Sequence, residues 1–475
     1  MVVRGVPRGL AKDGWWLDDD GQGKWRAPAV VMLVIVALAD VLLWHADAGL
    51  GLVGWIIAIA AAIHMTLSGK TGWSHLAIGW GALTVCLIPA FIQVQFLSVC
   101  LAIAGLLGFA AHAALGKPPM VAILSAMFRL PGRGAVQVWR DAMGIRFAVP
   151  TGGTVKSALF DWLLPVGVGG VFLLLLVAAN PIVEGWMRSM ALLNRVSLDL
   201  PRHLFWLGVA LMVWPFLRLS VLGLQHPSKR QFRAFELGLF NARSVLRALV
   251  VFNLIFAVQT FMDIGVIWGG VSLPGGMTYA RYTHQGAYPL LVTALLAGVF
   301  ALIAQPFLTD RPWVRGLMYL WVGQTVLLVV SSLLRLDLYI DAYGLTRLRV
   351  AALVWMCVVA VGLLLMLVQM IGRKTVGWFG LRAGGLGVLA LYMMSLVSID
   401  GIIARHNLAD DRPRDHYVCT LSEGALPAIV AFELAQGTSP CHRSRPRLHI
   451  PQDWREWGYR NAMLRRSLAQ LEVSQ

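Results

Sequence analysis

The sequence predicts an all-α fold: a polytopic transmembrane helical bundle of about eleven spans with a small helical C-terminal tail domain. Three observations carry this. Hydrophobic residues make up 58% of the 475 positions and charged ones only 13%, with a mean hydropathy of +0.70, which leaves too little polar surface to solvate a water-soluble fold. Apolar runs of roughly 20 residues, the length that crosses a bilayer core, recur from position 27 to 403. After Ile403 the composition changes to charged and mixed sequence. The chain therefore divides into a cytoplasmic N-terminal segment (1–26), a multi-span membrane domain (27–403) and a soluble tail (404–475).

The polar first 26 residues lack a cleavable signal pattern, and the first apolar run leads straight into others, so that run is expected to stay attached as a span. The first four spans are expected at Ala27–Trp44, Ala48–Met65, His75–Ala90 and Gln95–Leu115. Pro89 makes the turn between the third and fourth so tight that a re-entrant hairpin stays open as an alternative. The fifth to eighth follow at Ala158–Ala179, His203–Gly223, Ala248–Gly270 and Gln285–Gln305, and the last three at Gly316–Leu334, Leu348–Ile371 and Ala383–Ile403.

Between spans, Val121, Leu124 and Phe128 at helical spacing beside Arg129, Arg133 and Arg140 predict a helix lying on the inner membrane surface. Ile182, Trp186, Leu193 and Val196 form a similar stripe in the segment from Asn180 to Arg202. In the tail, one short helix is expected after Leu421-Ser422-Glu423 and another from Asp453 to about Gln470, both too short to fold alone and so packed on the membrane domain.

Orientation follows from basic residues, which favour cytoplasmic loops. With the N-terminus inside, the inner segments carry 22 Lys and Arg against 7 in the short outer ones. Eleven spans then put the tail outside, although its ten arginines lean the other way. The expected location is a cytoplasmic (inner) membrane.

The formal charge of +16 and pI near 10.2 are spread over short stretches between apolar runs, not gathered in one patch beside aromatic residues. No nucleic-acid partner is therefore expected; membrane lipids are. Of the five cysteines, Cys86, Cys100 and Cys357 fall in apolar runs, while Cys419 and Cys441 stand in polar sequence and are expected to pair as a disulfide if the tail is outside. No Cys/His cluster has metal-ligand spacing, and no metal or cofactor is expected. Ser68-Gly69-Lys70-Thr71 imitates the end of a phosphate loop, but His64 replaces its first glycine and a span precedes it. No catalytic signature is found, and an enzyme is not the favoured reading.

Several stretches resemble a bacterial membrane family, the domain of unknown function number four-one-seven-three. Leu273 to Gly286 is similar to its loop and helix start, and Leu338-Tyr339-Ile340-Asp341-Ala342-Tyr343-Gly344-Leu345-Thr346-Arg347-Leu348-Arg349 to a second hallmark. Ile402 to Asn407 and Leu421 to Pro427 resemble its closing motifs, while Asp40 with its neighbours and Asn180-Pro181 also suit it. The resemblance implies a multi-pass fold and brings no reaction with it. Gly344 as a helix end and Thr346 as a cap explain part of the second motif as a hairpin turn.

Ionisable residues at membrane depth cost a few kcal/mol and face a partner or a wet cavity. Asp40 and Asp263 are the costly ones, and Gln259 shares a helix face with Asp263. In the expected topology both acids lie toward the outer ends of their helices, where Arg281, His284, Arg335, Asp337 and Asp341 also arrive. These seven residues are the candidate polar site. The alternative is a ring of ion pairs and interfacial tyrosines that only fixes helix ends. His64 and His112 are read as core or interface histidines. Three functions follow: transport or flipping of an envelope component or small solute through an outward-facing site; a membrane scaffold or regulator; an envelope enzyme acting on a lipid-linked substrate.

Overall fold

A computed structural model describes residues 26–67, 73–116, 119–144, 199–219, 241–265, 279–308, 312–409, 415–441 and 444–473. Every regular element among them is helical: α1 (Arg26–Leu43), α2 (Leu50–Leu67), α3 (Trp73–Ile92), α4 (Phe96–Leu115), α5 (Met120–Gly144), α6 (Leu200–Leu217), α7 (Ala242–Asp263), α8 (Tyr279–Ala304), α9 (Pro312–Tyr343), α10 (Arg347–Ile371), α11 (Val376–Leu396), α12 (Ile399–Leu408), α13 (Leu426–Gln436) and α14 (Tyr459–Val473). Three short 3-10 turns lie at Gln305–Leu308, Glu423–Ala425 and Trp454–Glu456.

Nine of the described helices are long and apolar enough to cross a membrane. They correspond to the second to fourth and the sixth to eleventh expected spans. The first is a shorter apolar helix, Pro28–Leu43, and the fifth, at 158–179, lies outside the described residues, as does the stripe from Ile182 to Val196. The protein is a multi-pass membrane protein. Its spans leave large apolar side chains on their outer surfaces, such as Leu254, Val258 and Phe261 on α7; hydrocarbon tolerates this, whereas water does not.

Contacts divide the chain into two units. The first holds residues 1–88, 102–228 and 454–456; the second holds 89–101, 229–453 and 457–475. The tail thus has no unit of its own. In the first unit α1 packs on α2 and α6, and α5 packs on α6. In the second, α9 is the central element, with α7, α8 and α10 against it. Thirty-two residues long, it extends about 48 Å. Trp321 on α9 is buried among Phe252, Phe256 and Phe300, with ring centroids 5.2 to 5.8 Å away. The buried hydroxyls of Thr325 and Ser332 donate back to the carbonyls of Trp321 and Leu328, which meets their needs inside the helix.

The last span differs from its expected bounds of Ala383–Ile403. Helix α11 starts earlier, capped by Thr375, whose hydroxyl accepts from Trp378 N at 3.1 Å, and Arg382 lies 4.0 Å over the Trp378 ring, shielding its charge. It ends at Leu396, where Val397 turns extended and the freed Leu396 carbonyl accepts from Arg460 of α14 at 2.5 Å. Asp400 consequently falls in the first turn of the separate helix α12.

The amphipathic stretch forms the 25-residue helix α5. Ala122, Ala126 and Leu130 are buried, while Val121, Leu124, Phe128 and Trp139 are exposed on another face. Asp141 anchors the helix to α6, accepting from Trp214 Nε1 at 2.8 Å.

Candidate functional site

In the first unit, the first turn of α6 is built by Asp199, whose carboxylate accepts from Arg202 N, and by Pro201, which suits the first turns because it lacks an N–H. This fixes Arg202 and Trp206, one turn apart, on the face that meets α1. Asp40 accepts from Arg202 Nε at 2.8 Å, from Arg202 Nη2 at 2.5 Å and from Trp206 Nε1 at 2.8 Å. Both carboxylate oxygens are used, in the fork geometry that makes Arg–carboxylate pairs strong. Nothing in the local sequence identified Arg202 as the partner.

In the second unit, Asp263 ends α7 and Arg335 lies in the C-terminal part of α9. The two form an ion pair with side chains 3% and 4% exposed, and Gln259, one turn before Asp263, donates to the same Asp263 Oδ1 at 2.8 Å. Among the described residues Asp263 Oδ2 is buried with no hydrogen-bond partner. A buried acceptor left without a partner costs about 1–3 kcal/mol, and more when charged. Among the described residues, the oxygen that Gln259 does not reach is thus an open valence of this centre.

Of the other expected site residues, Asp337 and Asp341 are exposed on α9. Arg281 and His284 belong to α8 by backbone, and their side chains lie outside the described ones. The structure brings together Asp263 and Arg335, adds Gln259, and gives Asp40 its own partners within the first unit. His64 accepts from Trp80 Nε1 at 3.0 Å. His75 and His112 stack at 3.8 Å and each bonds the other's backbone carbonyl. These histidines tie helices together.

The second hallmark stretch and the closing motifs meet. Gly344 takes a left-handed φ of 76° at the end of α9, and Thr346 caps α10. Asn407 of α12 grips this turn from both sides, accepting from Leu345 N at 2.7 Å and donating to Leu345 O at 2.9 Å. Arg347 forks onto Asp400 at 2.7 and 2.5 Å, and Ser422 donates to Asp400 Oδ2 through its amide at 2.9 Å and its hydroxyl at 2.5 Å. Burial pushes the Asp400 carboxyl up, but the Arg347 guanidinium and the two Ser422 donors outweigh it and hold the group below the ordinary carboxylate value. Glu423 accepts from His449 N at 3.0 Å and Asn461 Nδ2 at 3.1 Å, tying in the rest of the tail. Cys419 and Cys441 are joined as a disulfide, with Cα atoms 5.6 Å apart.

The family profile described as Domain of unknown function (DUF4153) matches residues 28–432, and the chain belongs to that family. No curated protein and no solved structure is significantly similar to it.

Proposed function

We propose that this member of the family is a transport-type membrane protein in which the Asp263–Arg335–Gln259 centre receives a small solute or the polar group of a lipid-linked molecule. The observation that carries the reading is the buried carboxylate whose Oδ2 has no hydrogen-bond partner among the described residues, at the ends of two membrane-length helices. A ligand donor or a proton arriving at that oxygen would relieve its desolvation, which makes ligand occupancy and the state of the ion pair interdependent. Loop charge bias favours a cytoplasmic N-terminus in a bacterial inner membrane and an extracytoplasmic tail. A disulfide in the tail is in keeping with an oxidising compartment. In this orientation the centre lies toward the outer face, at the end of the second unit where Asp337 and Asp341 of the same helix α9 also lie.

A second reading, a scaffold or regulator, is favoured by one specific observation: Asp40, Asp400 and Asn407 are each fully engaged in clamps that join separate elements. The two readings part at Asp263. The test replaces Asp263 by Asn and Arg335 by Gln together, which removes both charges without leaving either one buried alone. In the native host, loss of fitness equal to deletion of the gene, at normal abundance and thermal stability in detergent, supports a ligand site. Fitness that merely follows protein abundance returns the pair to the scaffold account.

A further inference from the structure

The opposite end of the second unit carries a polar feature of a different kind. Where α8 gives way to its 3-10 turn, α9 begins and α10 ends, a cavity of about 360 Å³ is lined by Gln305, Arg315, Tyr319, Gln369, Arg373 and Lys374. That volume falls in the range of roughly 300–1,000 Å³ typical of small-ligand sites. Among the described residues three cations and no carboxylate line it.

The wall is constructed by two glutamines. Gln305 Nε2 donates to Gln369 Oε1 at 2.7 Å, and Gln369 Nε2 donates to the Lys374 carbonyl at 2.6 Å. Gln369 is only 4% exposed, so this bond pins the turn that carries Arg373 and Lys374. Neither of these two cations forms an ion pair among the described residues. Helix ends do not cancel the charge. The C-terminal ends of α8 and α10 bring about half a negative charge each and the N-terminal end of α9 about half a positive one, against the two full charges of Arg373 and Lys374.

A second, independent observation is the backbone of Arg373, whose φ of 48° is left-handed. Glycine adopts this conformation at least cost, and Gly372 stands one position earlier with an ordinary φ of −78°. An arginine held where glycine fits better is backbone strain retained for the sake of a side chain. Arg315 and Arg335 are 20 positions apart on α9, about 30 Å along the axis, close to the thickness of a bilayer core. The cavity therefore lies at the membrane boundary opposite the Asp263 centre, where headgroups are found and where basic pockets between helices bind their phosphates.

We propose that this cavity is an anion site that takes a phosphate-bearing group, either the headgroup of an anionic phospholipid or free phosphate. The full-length protein in detergent is titrated with phosphatidylglycerol or phosphatidylcholine and bound lipid counted by native mass spectrometry. In parallel, thermal stability is followed with sodium phosphate against sodium chloride of equal ionic strength. For a lipid ligand, phosphatidylglycerol is retained at least tenfold better than phosphatidylcholine; for a free anion, phosphate alone raises the midpoint. In either case Arg373→Gly lowers binding tenfold or more while the unliganded protein stays as stable as before or becomes more so, because glycine relieves the left-handed residue. Arg315→Gln gives the same loss from the other wall. The proposal is overturned if neither probe is distinguished from its control, or if both variants bind as the parent does.

Discussion

Replacing Asn407 by Leu should loosen the joint between the membrane helices and the tail more than any other single neutral substitution in that region. Asn407 is 5% exposed and Leu345 is 8% exposed, so water cannot replace what the amide supplies. The side chain satisfies the Leu345 N–H at 2.7 Å and the Leu345 carbonyl at 2.9 Å. Leucine keeps the volume but leaves both main-chain groups buried and unpaired, at about 1–3 kcal/mol each, so the joint loses roughly 2–6 kcal/mol. That corresponds to about one and a half to four and a half powers of ten in local opening. Asn407→Asp keeps the acceptor but turns an anionic oxygen toward the Leu345 carbonyl, and it should be at least as harmful. Hydrogen exchange of the full chain in detergent reads this directly at the amides of residues 344–347 and in α12. Exchange within threefold of the parent in Asn407→Leu would refute the argument that this amide holds the turn.

Asp400 has a lowered folded-state value, so its contribution is fully present above the unfolded value near 3.8 and is lost as pH falls through the lower folded one; detergent unfolding midpoints should fall below about pH 4, and Asp400→Asn should remove that acid-side decline. Arg202→Ala leaves Asp40 with only the Trp206 donor, read as a modestly lower midpoint, solvent screening of Arg202 keeping the loss small, and Arg202→Lys restores it only in part. Alkylation of the denatured, unreduced chain should label three cysteines, Cys86, Cys100 and Cys357, and five after reduction. Removing the 22-position bridge should destabilise the tail by about 3 kcal/mol. A nitroxide replacing Phe128, which is 86% exposed, should sit in the bilayer while one at Arg133 sits in water; equal accessibility to a polar relaxing agent would deny α5 its interfacial position.

What was legible in the sequence was whatever local composition dictates. Apolar runs of bilayer length placed the spans, because hydrocarbon forces each segment to satisfy its own backbone. The spacing of Val121, Leu124 and Phe128 placed the exposed face of α5 for the same kind of reason. Partners separated widely in sequence were not legible. Asp40 finds Arg202 across 162 positions, a choice made by how α1 and α6 pack. The carbonyl freed at the end of α11 is met by Arg460, 64 positions away, and the apolar run alone could not show that the helix stops before Asp400. At the end of α10 the left-handed residue is Arg373 and not the adjacent Gly372, which only the backbone reveals. Asp263 was recognisable as a costly acid in an apolar run, whereas the lack of a hydrogen-bond partner for its Oδ2 among the described residues depends on three-dimensional surroundings.

The most direct test of the proposed function is the charge exchange Asp263→Arg with Arg335→Asp, scored for fitness in the native host beside abundance and thermal stability in detergent. The exchange preserves an ion pair across α7 and α9 and moves the carboxylate to the other helix. If the centre binds a ligand, the exchanged protein accumulates and melts much as the parent does, more stable than either single variant, and still fails to support fitness. Full fitness in the exchanged protein would contradict the account, because a pair that works equally well in either direction only holds two helices together.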